Sequence, residues 1–280
     1  MNESTFRDVL RQISNNPLTL TGISLISALL IVALIAPFIS PYDPFATDPI
    51  NKLQPPSGEH LFGTDELGRD ILSRVLYGAR ITVRIAVLIL LISGSVGTLI
   101  GIIAGYFGGK VDNILMRITD VFIAFPRLIL AMAISAALGP SLRNVVIALS
   151  VAQWTYFARL ARSKALVARE KDYVEAAHAT GASDIRILGI HILPETLSPV
   201  IIQGTIIMGS IIITAAGLGF IGFGAQPPTP EWGVMVSNGR NFMPASWWVS
   251  TFPGLAIMLT VLGFNLLGDG VRDILDPRLD

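Results

Sequence analysis

Residues 18–39, LTLTGISLISALLIVALIAPFI, decide the class of this protein: 22 mostly apolar residues without a single charge, enough to cross about 30 Å of hydrocarbon at 1.5 Å per residue. No Lys, Arg, Asp or Glu occurs between Arg11 and Asp43. A secretory signal has an apolar core of only roughly 7–15 residues and ends in small residues at a cleavage site. This stretch is longer and ends in Pro37, Pro41 and Pro44, which reads as a retained anchor. Working outward, further charge-free runs cover Ile85–Gly109, Leu128–Leu138 and Asn144–Ala158, a fifth follows Pro194 to about Gly224, and a sixth spans about Val249–Gly268. The third and fourth are short. The third reaches spanning length if it begins near Ile114 with Arg117 and Asp120 paired at helical spacing, and the fourth if it runs into Arg159. Gly139-Pro140-Ser141 supplies the turn between them. The expectation is an all-α integral membrane protein with six spans.

Composition agrees. Of 280 residues, 52% are hydrophobic and 14% charged, against about a quarter charged in soluble domains. The mean hydropathy is +0.64. Those values exclude a disordered chain, a nucleic-acid binder and an ordinary cytosolic enzyme. Lys plus Arg and Asp plus Glu each number 20, so no basic excess attracts phosphate. With no cysteine, disulfides, zinc-thiolate sites and Cys nucleophiles are absent.

Lys and Arg set the orientation. With the amino terminus inside, the inner segments hold Arg7, Arg11, Lys110, Arg117, Arg127, Arg159, Arg162, Lys164, Arg169, Lys171, Arg186, Arg272 and Arg278. The outer ones hold Lys52, Arg69, Arg74, Arg80, Arg84, Arg143 and Arg240. That is 13 against 7 of the 20 basic residues, so both termini and the segment 159–194 face the cytoplasm. Proton- or sodium-driven carriers place carboxylates or histidines inside their spans. Here Asp120 and Glu195 lie at span ends and His60, His178 and His191 in loops. Nor is there a nucleotide site: Gly109-Lys110 lacks the preceding glycine of a phosphate loop and is followed by Val111. The energy source is expected on another polypeptide.

The cytoplasmic segment carries the chemistry. Asp172 can cap a short helix to Thr180, with Glu175 three residues on, Ala176 and Ala177 as helix formers and Gly181 as a left-handed stop. Ser183 can cap a second helix running to about Leu193 and closed by Pro194. Two short helices joined at a glycine make a compact knob that fits a partner's groove, with Glu175 offered to its rim, or simply connect two spans.

Glu175-Ala176-Ala177, Gly181 after three intervening residues, and Leu193-Pro194 resemble the EAA motif of type I ABC importer permeases, with His191 where that pattern has isoleucine. Further segments look like the second permease of dipeptide, oligopeptide and nickel importers: 62–70 (FGTDELGRD), 77–80 (YGAR), 226–233 (QPPTPEWG), 265–270 (NLLGDG) and Asp276-Pro277-Arg278. The resemblance implies a type I permease fold in a bacterial or archaeal inner membrane. It implies a homologous second permease, two ATPase subunits or domains, and an extracytoplasmic solute-binding protein. ATP and Mg would sit on the ATPases and no cofactor on this chain. The organisation expected is 1–79 for the first span and long outer loop, 80–269 for the permease core with its coupling loop 159–194, and 270–280 for a cytoplasmic tail. Force from the ATPase is expected at Glu175, Ala176, Ala177, Gly181, Leu193 and Pro194.

Other features admit two readings. Gly97, Gly101 and Gly105 recur every four residues, which suits close helix packing within the chain, a contact with the second permease, or a pathway wall. Asp65, Glu66 and Asp70 are caps and solvated charges or a cation site, although their spacing fits no calcium loop. Ile71, Leu72, Val75 and Leu76 share one helical face that could lie along the outer membrane surface. Pro227, Pro228 and Pro230 stiffen the last outer loop and Trp232, Trp247 and Trp248 suit the headgroup layer; alternatively Pro227, Pro228 and Trp232 dock the binding protein or gate the pathway. Cargo is not specified. Peptides are expected, with nickel or another metal chelate, glutathione and opine-like solutes as alternatives, and an autonomous channel or secondary carrier as the different class.

Overall fold

The computed structural model describes residues 16–275, with side chains to 272, so Arg7, Arg11 and the 276–278 motif lie outside the described residues. Among the described residues ten α-helices form: α1 Pro17–Ile39, α2 Ile71–Phe107, α3 Gly109–Ala124, α4 Arg127–Leu138, α5 Leu142–Arg169, α6 Asp172–Ala179, α7 Asp184–Ile187, α8 Leu193–Ile221, α9 Trp232–Gly239 and α10 Trp248–Leu275. Among the described residues the only β feature is an isolated bridge between Thr64 and Asp70. By length and apolarity four stretches of the described residues can cross a membrane: α1, α2, the helical run Asp184–Ile221, and Trp248–Arg272. A fifth appears if α3 and α4 make one bent span. The expected fourth span is α5, 28 residues long, whose second half carries Arg159, Arg162, Lys164 and Arg169.

The third span departs from expectation. It is two helices meeting at 87°, because Phe125 is driven to an extended conformation (φ −88°, ψ 134°) ahead of Pro126, as a residue before proline usually is. Asp120 pairs with Arg159 across to α5 at 2.7 Å, not with Arg117.

The chain divides into two compact units. One comprises residues up to 87, 135–145 and from 205 onward; the other 88–134 and 146–204. In the first, Asn16 caps α1 by accepting from Leu18 N and Thr19 N, with Pro17 at a position whose N–H is not needed. α1 lies against α10 so closely that a Cβ on Gly22 would come within 2.6 Å of Leu267 N. The first part of α2 is continuous with the span instead of forming a separate surface helix. Ile71 and Ala79 are buried with Ala33, Trp232, Met235, Trp248 and Val249, so its apolar face meets protein. Phe62 stacks on Phe252 at 3.9 Å.

Polar residues of the loop between α1 and α2 are interior. Asp65 is 4% exposed and pairs with Arg69 at 2.7 Å and Arg74 at 3.4 Å. Asp70 caps α2 through Ser73 N at 2.8 Å and meets His60 Nδ1 at 2.9 Å. The expected caps form, but Asp65 and Asp70 are paired and buried rather than solvated, Glu66 is partly exposed and pairs with Arg69 at 3.2 Å, and no group of three or more possible metal ligands exists among the described residues. Glu231 caps α9 by accepting from Gly233 N and Val234 N, both at 2.9 Å; burial raises its pKa against the pull of those two donors.

Candidate functional site

The segment between α5 and α8 builds a knob from local rules. α6 is eight residues long with Asp172 and Glu175 in its first turn, where carboxylates suit the helix dipole. Its cap position is Lys171, whose side chain does not cap the helix, so Asp172 is the first helical residue and not the cap expected. The stop is a Schellman turn: Gly181 has φ +79°, Gly181 N donates to His178 O at 2.9 Å and Ala182 N to Ala177 O at 3.0 Å. Ser183 occupies the cap of α7 through its backbone alone. Glu175, Ala176 and Gly181 are exposed, Ala177 half-buried, and Val174 and Ile187 turn inward.

Pro194 does not close the second helix. Residues Leu188–Ile192 adopt a π-helical turn in which Leu193 N donates to Leu188 O, five residues back. That wider turn makes room for a proline ring and its missing N–H, so the helix continues from the knob into α8. Leu193 is half-buried and Pro194 exposed in the first turn of α8.

Four side chains that sequence reasoning did not single out for this role, Tyr106, Lys171, Tyr173 and Glu195, hold the knob to its spans. Tyr106, at the end of α2, donates to Asp184 Oδ1 at 2.7 Å and lies 3.0 Å from His178 Nε2. Since its one proton goes to the carboxylate, His178 is the donor to the phenol oxygen. A single residue thereby grips both α6 and α7. On the other side Glu195 of α8 accepts from Lys171 Nζ and, at 2.6 Å, from Tyr173 Oη. Those bonds raise the pKa of both Lys171 and Tyr173, leaving lysine cationic and tyrosine neutral at physiological pH. Nothing in local sequence signals these partners, which are 72 and 78 residues apart for Tyr106.

Gly97, Gly101 and Gly105 form one edge of α2 packed on α5. A Cβ there would meet Trp154 O at 2.3 Å, Ala158 O at 2.4 Å and Ala165 Cβ at 2.7 Å respectively. The row is a packing seam within this chain. Beside it, Arg162 holds both carboxylate oxygens of Asp112, and Arg169 donates to Gly105 O at 3.1 Å, satisfying a carbonyl at the end of α2.

In the loop between α8 and α9, Pro227 and Pro228 are exposed. Trp232 is not: it is 2% exposed and its indole donates to Val75 O at 3.0 Å. Burial removes it both from the headgroup layer and from contact with a docking partner. Trp248 is likewise buried, donating to Thr64 O, which leaves Trp247, 51% exposed, as the tryptophan suited to an interface.

The family described as "Binding-protein-dependent transport system inner membrane component" matches residues 97–280, and "N-terminal TM domain of oligopeptide transport permease C" matches residues 4–56. The chain is 45% identical to a dipeptide transport system permease protein of Alkalihalophilus pseudofirmus, over 99% of this chain and 91% of that one. It is 46% identical to a probable D,D-dipeptide transport system permease protein of Escherichia coli K12, covering 95% and 89%. It is also 46% identical to a glutathione transport system permease protein of E. coli O6:K15:H31, covering 96% and 89%. The inward-facing MetNI methionine ABC transporter has a chain of the same fold, with TM-score 0.57 at 18% identity, covering 72% of this chain and 96% of that one.

Proposed function

Because this chain belongs to the family of binding-protein-dependent transport system inner membrane components, we propose that it forms half of the transmembrane pathway of an ATP-driven importer of di- and oligopeptides. A homologous permease supplies the other half, two ATPase subunits the power, and an extracytoplasmic binding protein the cargo. The observation that carries the mechanism is the double anchoring of the knob. Tyr106 ties α6 and α7 to α2, and Glu195 ties Lys171 and Tyr173 to α8, so a displacement of the exposed Glu175 and Ala176 is passed to two spanning helices. Closure of the ATPases on ATP then draws two such knobs together and turns the pathway outward. Gly181, Leu193 and Pro194 shape the coupling surface; Pro227 and Pro228 are the exposed candidates for binding-protein or gate contact. This chain hydrolyses nothing itself.

Peptide cargo is supported by the dipeptide permeases among its relatives and by the lack of metal-ligand clusters among the described residues. Uptake of a labelled dipeptide by cells is expected to vanish on deletion of this chain, and the triple variant His60→Ala, His178→Ala, His191→Ala to show no metal-uptake defect separable from assembly. Nickel uptake that depends on the chain, without peptide uptake, would overturn this reading in favour of a metal carrier.

Orientation follows from the basic residues. Cysteines introduced at Ser57 or Thr229 should react with an impermeant thiol reagent from outside, and one at Ala182 only after the membrane is opened. Outside labelling at Ala182 would place the knob beyond reach of any ATPase.

A further inference from the structure

The segment between α8 and α9 has an exposed tip and a buried root. Pro227 and Pro228 are exposed, whereas Pro230, Glu231 and Trp232 are buried, and the prolines at 227, 228 and 230 leave the backbone few ways to bend. The root is seated on the first turns of α2. Arg74 Nη1 donates to Pro228 O at 3.3 Å, Trp232 Nε1 donates to Val75 O at 3.0 Å, and a Cβ on Gly78 would come within 2.8 Å of Pro230 O. Position 78 is four residues from 74 and three from 75, so the three are neighbours on the helix surface. Arg74 is the meeting point. It is 3% exposed, and the same guanidinium donates to Pro44 O at 2.8 Å and stands 3.4 Å from Asp65 Oδ2. One side chain of α2 thus holds both the α1–α2 loop and the α8–α9 loop. The bond to Pro228 is the longer of its two bonds to carbonyls, and Pro44 and Asp65 keep the cation partnered when that bond opens. It can break and re-form without leaving a buried charge unpaired.

We propose that Arg74 is a positioning residue of the transport cycle, passing the docking of the binding protein on Pro227 and Pro228 to α2. The proposal rests on the reading that this exposed pair meets the binding protein. A partner that pushes the stiff tip moves its root, and the root has hold of α2 through Arg74 and Trp232. Affinity for the binding protein then comes from the tip, and the response to it from the buried ties.

The test uses the complete transporter in lipid nanodiscs, where both sides are open. Dialanine-loaded binding protein is added at increasing concentration, and ATP hydrolysis is read. Arg74→Lys keeps a cation beside Asp65 but replaces the fork with a single nitrogen. It should lower the maximal stimulated rate, divided by the rate without binding protein, about tenfold, the scale of one hydrogen bond to a charged group. The half-saturating concentration should shift less than about twofold. Trp232→Phe keeps a ring in the root and loses the indole donor; it should act in the same way, and it carries the test if the lysine variant does not co-purify with its partners. Pro227→Arg, at the tip, should instead raise the half-saturating concentration about tenfold. If Arg74→Lys and Trp232→Phe raise half-saturation alone, change neither quantity, or both fail to assemble, Arg74 is a structural staple and the proposal is overturned, with docking at the tip left standing. Pro227→Arg without effect on half-saturation, or a wild-type complex that the binding protein does not stimulate, removes the docking reading and the proposal with it.

Discussion

Glu175→Lys is expected to abolish peptide uptake and ATPase association while the protein still reaches the membrane. Glu175 is exposed and forms none of the bonds that hold the knob, so its reversal leaves the anchors at Tyr106 and Glu195 in place. The effect therefore falls on the partner's rim, where a carboxylate is replaced by a cation. Gly181→Asp should give a similar loss, and its cause can be separated. A Cβ at Gly181 has nothing within 4 Å, so within this chain the substitution costs only left-handed backbone strain, about 1 kcal/mol. Gly181→Asn, which tolerates that conformation, should assemble better than Gly181→Val. Subunit co-purification and uptake in the same membranes decide the matter; normal uptake in Glu175→Lys would remove the knob from the coupling path.

The other large effect is on folding. Gly101→Val places methyl groups where a Cβ alone would stand 2.4 Å from Ala158 O and 2.6 Å from Ala161 Cβ. Both are α5 main chain or its first side-chain atom, which cannot swing aside. The helices must separate, at a cost of about 1–3 kcal/mol or more, and the folded protein recovered in detergent should fall sharply. Gly94 lies on the same helix with open space around it. Gly94→Ala should be neutral or stabilising by up to about 1 kcal/mol. A thermal melt of the two variants separates seam from propensity, and equal melting temperatures would contradict the seam.

Features set by short-range rules were legible in the sequence: α1 begins and ends within a residue of its charge-free run, Gly181 is the left-handed stop, and the four-residue glycine spacing became a packed edge. The elbow at Phe125-Pro126 was readable from Pro126 in principle, but counting charges toward a full span hid it. Pro194 misled because a π-turn supplies the space that a regular helix denies a proline. The outer loop was misread for a different reason. Whether Asp65 is solvated or Trp232 exposed depends on residues as far away as Val75, 157 positions from Trp232, and no local pattern carries that information. Tyr106, Lys171, Tyr173 and Glu195 were missed likewise, since each matters through a partner brought near only by the fold.

The contact between α1 and α10 has a consequence for biosynthesis. α1 leaves the ribosome well before the surface that Gly22 fits, around Gly263 and Leu267. At roughly 5–20 residues per second, the interval of 236 residues from Ile39 to Leu275 is on the order of 10–50 s. Through that time α1 waits in the bilayer as an unpaired helix, only 11% of its apolar window being buried even in the finished chain. Its lipid-compatible surface makes the wait tolerable, and completion of α10 becomes the event that closes this helix pair.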